Sequence, residues 1–216
     1  MPTARDRKKR HSIIDACRSM NALGINQGTS GNISLRHNNG LLITPTSVPY
    51  EAMQPEQIVF MAMDGSHDPA QHPSSEWRFH LDILRARPEV NAVVHAHPTY
   101  STILAIMNIE IPPIHYMIAC AGGDSIRVAP YATFGTQELS KHAVTALKGR
   151  QACLLEHHGM IAVGSSLSKA MWLAVEVEAL ARQYHGCLQI GTPRLLPKDE
   201  IENVLGRIAG YGPADK

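Results

Sequence analysis

The chain has 216 residues, 44% of them hydrophobic, which is enough for one domain with a substantial core. Its 20 basic and 19 acidic residues leave a net charge of +1, which argues against nucleic acid as a partner. Four scattered cysteines, the lack of an apolar signal segment and the lack of a bilayer-long apolar run predict a cytoplasmic chain without a membrane partner. We expect a single domain over residues 1–216.

The first half of the chain predicts two helices and three short strands. The first helix is indicated by apolar residues at helical spacing, followed by a glycine that can end it: Ile13, Cys17, Met20 and Leu23, then Gly24. The segment His37-Asn38-Asn39-Gly40 is typical of a hairpin because Asn and Gly tolerate positive φ, and it separates predicted strands at 33–36 and 41–44. A third strand is predicted at 58–63, and a second helix runs from near Ser75 to the residue before Pro88.

The second half of the chain adds four strands and four helices. Strands are predicted at 90–95, 126–129, 153–156 and 160–163, and helices at 99–107, 137–147, 167–189 and 199–208. The strands follow one another too closely for βαβ units throughout the chain. We therefore expect an α/β fold with a central, mostly antiparallel sheet that is covered by helices.

The most informative motif is His95-Ala96-His97, which follows an apolar run. Side chains alternate along a strand, so both imidazoles lie on one face. Two imidazoles at a strand end suit a zinc site, whereas two histidines hydrogen-bonded in a polar cleft are the alternative. A third ligand is offered by His157 or His158, and spacing alone does not choose between them.

Three polar segments accompany the histidines. Ser74 and Ser75 stand at the start of a predicted helix that carries Glu76 in its first turn. Serines there are ordinary N-cap residues, but hydroxyls at a helix N-terminus also suit a phosphate. A carboxylate near zinc can act both as a ligand and as a general base. Gly28–Ser34 and Ile43–Ser47 carry glycines and hydroxyls that can surround a phosphate, although each is also compatible with an ordinary turn.

Taken together, these segments resemble the class II aldolase and adducin family over nearly the whole chain. The resemblance rests on seven segments in this order: Asn26–Asn32, Leu42–Thr46, Pro73–His80, Val93–His97, Ile114–Ile118, Ala129–Thr136 and His157–Gly159. It implies a three-layer αβα fold and a zinc-dependent aldolase with one Zn²⁺ per subunit. The implied reaction is reversible cleavage of L-fuculose 1-phosphate, or a close ketose 1-phosphate, to dihydroxyacetone phosphate and L-lactaldehyde.

The resemblance also implies roles for individual residues. It selects His158 over His157 as the third metal histidine, and it makes Glu76 both a ligand of the resting metal and the catalytic base. Ser47 stands where a glycine of the phosphate loop is expected. The implied sets are metal ligands Glu76, His95, His97 and His158; a phosphate cradle of Thr29, Gly31, Asn32, Thr46, Ser47, Ser74 and Ser75; and catalytic residues Tyr116, Phe134 and Tyr211 beside Glu76.

Several alternatives share this fold. They are an aldolase for another deoxypentulose 1-phosphate, a sugar-phosphate epimerase or dehydratase, and a non-catalytic module like the adducin heads. Epimerases of the family carry an aspartate at the position of Glu76, which favours aldol cleavage here. The resemblance further implies a homotetramer whose sites lie between subunits, with Tyr116 and Tyr211 supplied by the neighbour.

Overall fold

The computed structural model describes residues 4–208 and 212–213. Its strands β1 to β7 are Asn32–His37, Gly40–Ile43, Val59–Ala62, Ala92–Ala96, Arg127–Ala129, Ala152–Leu155 and Gly159–Gly164. Its helices α1 to α6 are Ala4–Ala22, Trp77–Ala86, Thr99–Ile106, Gln137–Ala146, Leu167–Ile190 and Lys198–Ile208. Two short 3₁₀ helices, Pro55–Gln57 and Tyr116–Ala121, complete the described elements.

The seven strands form one sheet in the order β3-β2-β1-β4-β7-β6-β5. Neighbouring strands are antiparallel except β5 and β6, which are parallel because α4 crosses over between them. The predicted α/β class and the mostly antiparallel sheet are therefore confirmed, and the sheet is mixed rather than purely antiparallel. The tight β1–β2 hairpin turns at Asn38, whose φ is 49°.

Helices cover both faces of the sheet, which gives the three layers. Side chains of α1, α3 and α5 pack on one face with Ala92 and Val94 of β4, whereas α2 and α4 pack on the other face with Val93. The alternation along β4 is what a strand buried on both faces requires. It also assigns His95 to the α2 face, next to the start of that helix.

Two local expectations differ from the structure. Leu23 was expected on the buried face of the first helix, but α1 ends at Ala22 and Leu23 is 58% exposed, because the chain turns away at Gly24 with a φ of 70°. The second helix begins at Trp77, and its N-cap residue is Glu76 rather than a serine. Among the described helices, none combines the length and apolarity needed to cross a membrane.

Candidate active site

Four side chains from three separate parts of the chain converge at the end of β4. The ligand atoms of Glu76, His95, His97 and His158 all lie within 4.8 Å of one another. His95 lies within β4, His97 follows the strand, Glu76 precedes α2, and His158 lies in the β6–β7 turn. Three imidazoles and one carboxylate form the donor set that a catalytic zinc or similar divalent ion uses.

His95 is oriented by the sheet itself. It lies opposite Asn32 of β1 and Ile161 of β7, and its side chain is fully buried. Its Nδ1 lies 2.9 Å from the carbonyl oxygen of Met160, so Nδ1 carries the proton and donates it to that oxygen. Its Nε2 therefore offers a lone pair toward the cluster, 2.9 Å from Nε2 of His97.

The β6–β7 turn separates the roles of its two histidines. His158 joins the cluster, whereas His157 is exposed, has a φ of 55° and lies with its ring 6.0 Å from that of Tyr131. Gly159 is required at the next position, since a Cβ there would lie 2.5 Å from the Ala96 carbonyl oxygen and 2.7 Å from Cδ2 of His97. The geometry thus brings His158, and not His157, to the other ligand atoms.

Glu76 is a buried carboxylate surrounded by the imidazoles. Its Oε2 lies 3.1 Å from His95 Nε2 and accepts a hydrogen bond of 3.0 Å from Asn32 Nδ2. Burial by itself would raise the pKa of Glu76, but attraction to His95 and His158 outweighs burial and holds the pKa well below its usual range. Glu76 is therefore ionised, as a metal ligand or a base must be.

The surroundings of one oxygen of Glu76 indicate whether the cluster suits a cation. Glu76 Oε1 is buried 3.2 Å from His158 Nε2, and it makes no hydrogen bond to any of the described residues. Burial is the largest cause that lowers the pKa of His97 to about 3, so the His97 ring is neutral. An unpartnered buried carboxylate oxygen in a cluster with this neutral ring fits a divalent cation.

A cavity of about 400 Å³ opens directly beside the cluster. Seven of the fifteen described residues that line it carry a hydroxyl group, and none of the fifteen is Lys or Arg. It holds every member of the predicted phosphate cradle, together with Glu76, His97, His158 and Phe134. Its lining residues are Thr29, Ser30, Gly31, Asn32, Pro45, Thr46, Ser47, Ser74, Ser75, Glu76, His97, Tyr131, Phe134, His157 and His158.

Short backbone links bring the hydroxyl-bearing loops together. Thr46 N donates to the His72 carbonyl and Ser74 N donates to the Thr44 carbonyl, at 3.0 and 2.9 Å. Ser74 Oγ in turn accepts from the Glu76 N–H at 3.3 Å, immediately before α2. An anion in this cavity would meet hydroxyls, turn amides and a helix N-terminus.

Ser47 stands where the family resemblance implies a glycine of the phosphate loop. Its φ is 56°, in the left-handed region that L side chains rarely adopt and glycine adopts readily. Its hydroxyl lies 3.4 Å from Thr46 Oγ1 on the cavity wall. The serine therefore adds a hydroxyl to this loop.

The predicted aromatic residues are distributed unevenly. Phe134 is 63% exposed at the cavity, and Arg78 Nη1 donates to the carbonyl of the next residue, Gly135, at 2.7 Å. Tyr116 does not line this cavity; it is 48% exposed and lies beside α6 in a second cavity. Tyr211 lies outside the described residues.

Sequence reasoning did not single out three of the cavity residues, Ser30, Pro45 and Tyr131, and it considered His157 only as an alternative metal ligand. Ser30, Pro45, Tyr131 and His157 line the same wall as the predicted set. Ser30 and Pro45 lie within the two loops that were considered for phosphate, so the loop pattern contained them. Tyr131 lies in the quoted segment Ala129–Thr136, but no spacing rule identified its ring as a site residue.

Comparison with known proteins gives consistent matches over most of the chain. The family described as "Class II Aldolase and Adducin N-terminal domain" matches residues 11–185. The 5-methylthioribulose-1-phosphate/5-deoxyribulose-1-phosphate aldolase of Rhodospirillum rubrum is 55% identical over 203 residues, covering 94% of this chain and 92% of that protein. The L-fuculose phosphate aldolase of Escherichia coli K12 is 52% identical over 206 residues, covering 95% and 96%. A solved L-fuculose 1-phosphate aldolase has a TM-score of 0.91 at 34% identity, covering 97% and 98%.

Proposed function

The chain belongs to the class II aldolase and adducin family, and we propose that it cleaves L-fuculose 1-phosphate, or a close ketose 1-phosphate, to dihydroxyacetone phosphate and L-lactaldehyde. It is a class II aldolase, hence a lyase that acts on a sugar phosphate, and such aldolases use a divalent metal. We propose Zn²⁺, one ion per subunit. The observation that carries the proposal is the cluster of three histidines and Glu76 at the edge of a hydroxyl-lined cavity.

The metal is proposed to be held by His95, His97, His158 and, before substrate binds, Glu76. Such an ion polarises the ketone oxygen and stabilises the negative charge that develops there when the C3–C4 bond breaks. The orientation of His95 by the Met160 carbonyl and the neutral ring of His97 keep these nitrogens available as ligands.

Glu76 is proposed to move the proton. In the direction of cleavage its carboxyl group returns a proton to the carbon that becomes the terminal hydroxymethyl group of dihydroxyacetone phosphate. In the direction of condensation the same oxygen removes that proton. Its burial and ionisation provide a base that is shielded from water.

The phosphate is proposed to lie against Thr29, Gly31, Asn32, Thr46, Ser47, Ser74 and Ser75. Hydroxyls, turn amides and the start of α2 supply donors there, in the absence of a lysine or arginine among the described lining residues. Binding by neutral donors positions the substrate while leaving the charge near the ketone to the metal centre.

The aldehyde end is proposed to contact Phe134, Tyr116 and Tyr211, with Tyr116 donating a proton to the aldehyde oxygen during condensation. Phe134 lines the cavity of its own chain, whereas Tyr116 lies elsewhere on the surface. We propose a homotetramer in which Tyr116 and Tyr211 complete the site of a neighbouring subunit. The exposed ring of Tyr116 supports this arrangement.

A second substrate is favoured by one comparison. The 55% identical relative is named for 5-methylthioribulose 1-phosphate and 5-deoxyribulose 1-phosphate, which would present a different aldehyde portion to the same cluster. Epimerase and dehydratase chemistry on this fold would leave a sugar phosphate uncleaved at C3–C4. Release of dihydroxyacetone phosphate therefore separates the aldolase proposals from these alternatives.

The proposal is tested by offering the zinc-loaded protein L-fuculose 1-phosphate, 5-deoxyribulose 1-phosphate and 5-methylthioribulose 1-phosphate, and measuring dihydroxyacetone phosphate. We expect the highest kcat/KM for L-fuculose 1-phosphate. A kcat/KM at least about tenfold higher for either of the other two would replace the proposed substrate. No dihydroxyacetone phosphate from any of the three would refute the proposal.

A further inference from the structure

A chain of buried polar side chains runs from the sheet to Glu76. Ser34 Oγ lies 2.8 Å from His80 Nδ1, and His80 Nε2 lies 2.5 Å from Asn32 Oδ1. Asn32 Nδ2 donates to Glu76 Oε2 at 3.0 Å. Ser34 and His80 are fully buried, and neither lines the cavity. This Ser34–His80–Asn32 chain of hydrogen bonds thus connects the carboxylate of Glu76 to two buried residues outside the cavity lining.

The direction of every hydrogen bond in this chain is fixed by its last member. An ionised carboxylate only accepts hydrogen bonds, so the amide nitrogen of Asn32 faces Glu76 and its carbonyl oxygen faces His80. His80 must then donate from Nε2, which leaves Nδ1 as an acceptor for the Ser34 hydroxyl. Burial, with a smaller contribution from His95, lowers the pKa of His80 to about 3, in agreement with a neutral ring.

These hydrogen bonds give the two oxygens of Glu76 different partners. Oε2 receives the Asn32 hydrogen bond, whereas Oε1 receives none from the described residues. Asn32 therefore fixes Oε2, while Oε1 faces Nε2 of His158 at 3.2 Å.

We propose that Ser34 and His80 are positioning residues that hold Asn32 so that it donates to Oε2 and fixes the orientation of the Glu76 carboxylate beside the histidines. The inference rests on the proposed role of Glu76 as base. It assigns to His80, which lies outside the metal cluster and the cavity lining, the tautomer protonated on Nε2, so that this nitrogen donates to Asn32. The hydroxyl of Ser34 selects that tautomer by occupying Nδ1.

The tautomer is measured directly by ¹⁵N NMR of the histidine rings in the metal-loaded wild-type protein, with His80 assigned from the spectrum of His80→Gln. We expect His80 to be neutral with its proton on Nε2. A proton on Nδ1 would overturn the proposal, because His80 would then not donate to Asn32. This measurement does not depend on catalysis, so it remains decisive for the hydrogen-bond chain if the proposed substrate proves wrong.

The functional consequence is measured with His80→Phe, which removes the donor while keeping a planar ring. We expect kcat to fall about 10- to 100-fold, as for other residues that orient a catalytic group. The KM should stay within about threefold and the metal content at one per chain, because His80 contacts only Asn32 of the seven cradle residues and none of the four proposed ligands through a hydrogen bond. An unchanged kcat, or a loss confined to KM or metal content, would overturn the proposal.

Rescue and coupling separate positioning from simple loss of packing. His80→Gln should recover most of the lost kcat, since its amide nitrogen can occupy the place of Nε2 and donate to Asn32. Ser34→Ala should lower kcat less than His80→Phe, and the double variant should be no slower than His80→Phe because the two residues act in series.

Ser140→Ala, at an equally buried serine that donates to Asp82, is the matched control and should leave kcat unchanged. Additive losses, or no rescue by a folded His80→Gln, would contradict the proposal.

Discussion

Glu76 owes its properties to its position at the start of α2. As the N-cap residue it makes no capping hydrogen bond with its side chain, so the carboxylate is directed to the histidines instead. Burial would favour the neutral form, but the surrounding imidazoles and the Asn32 amide keep it ionised. A residue that would ordinarily help a helix to begin is thereby available for chemistry.

Replacing Glu76 by Gln tests its proposed role in catalysis. The amide cannot accept the reacting proton, while the three histidines remain, so we expect metal to be retained and kcat to fall about 10²- to 10⁴-fold. Metal analysis and the rate of dihydroxyacetone phosphate release measure the two effects. Glu138→Gln, at an exposed carboxylate in the first turn of α4, is the matched control. A Glu76→Gln protein with the wild-type rate would remove Glu76 from the mechanism.

At the scale of single residues, the sequence predicted the residues of the metal cluster better than it predicted the hydrogen bonds that orient them. The pair His95 and His97 is adjacent in sequence, so strand geometry alone indicated convergence. Spacing did not choose between His157 and His158, and the choice of His158 came from the family resemblance; in the fold His157 has a positive φ and an exposed side chain. The link from His80 to Asn32 joins residues 48 apart, and no local pattern encodes it.

The β6–β7 turn is the element on which the cluster depends most closely. It presents His158 while Gly159 lets β7 approach the end of β4 and the ring of His97. Strand pairing of Met160 with Ala96 fixes this approach and sets the register of the turn against the histidine pair. The glycine is therefore part of the site although it contributes no ligand atom.

Gly159→Ala should weaken metal binding. Its Cβ would collide with the Ala96 carbonyl and the His97 ring, so we expect a loss of about 1–3 kcal/mol in stability and a lower metal affinity. Thermal unfolding and a metal titration measure these changes. Gly186→Ala is the control, because nothing lies within 4 Å of its Cβ position and an alanine in α5 should add about 0.5–1 kcal/mol. A Gly159→Ala protein with unchanged metal affinity would show that this contact does not position His97.

At the scale of elements, regular periodicity was the reliable guide. The strands, the β1–β2 hairpin and the long α5 lie close to their predicted bounds. The two 3₁₀ helices were not predicted, because three to six residues carry too little periodicity to indicate one. The parallel pairing of β5 with β6 depends on how α4 packs, which is a tertiary property.

For the whole molecule, the position of Tyr116 is the strongest support for a shared site. Tyr116 is half exposed in a second cavity with residues of α6, while Tyr131 and Phe134 are exposed at the cavity beside the cluster. If one subunit supplies Tyr116 to another, each site needs groups from two chains. Such an arrangement cannot be predicted from composition or periodicity.

Mixing two inactive variants tests this arrangement. Glu76→Gln and Tyr116→Phe subunits, unfolded together and reassembled, should form some sites that contain both wild-type groups, so activity should reappear. The same treatment of each variant alone is the control. Mixed assemblies that stay as inactive as the separate variants would show that Tyr116 does not act in a neighbouring subunit.

The most direct test of the account is a zinc titration of chelator-stripped protein, with dihydroxyacetone phosphate release from L-fuculose 1-phosphate as the signal. We predict negligible activity without metal, a linear rise with added Zn²⁺ and a plateau at one ion per chain, as one cluster of three histidines and Glu76 requires. Full activity in the stripped protein, or a plateau that His97→Ala leaves unchanged, would contradict the assignment of this cluster as the metal centre of the aldolase.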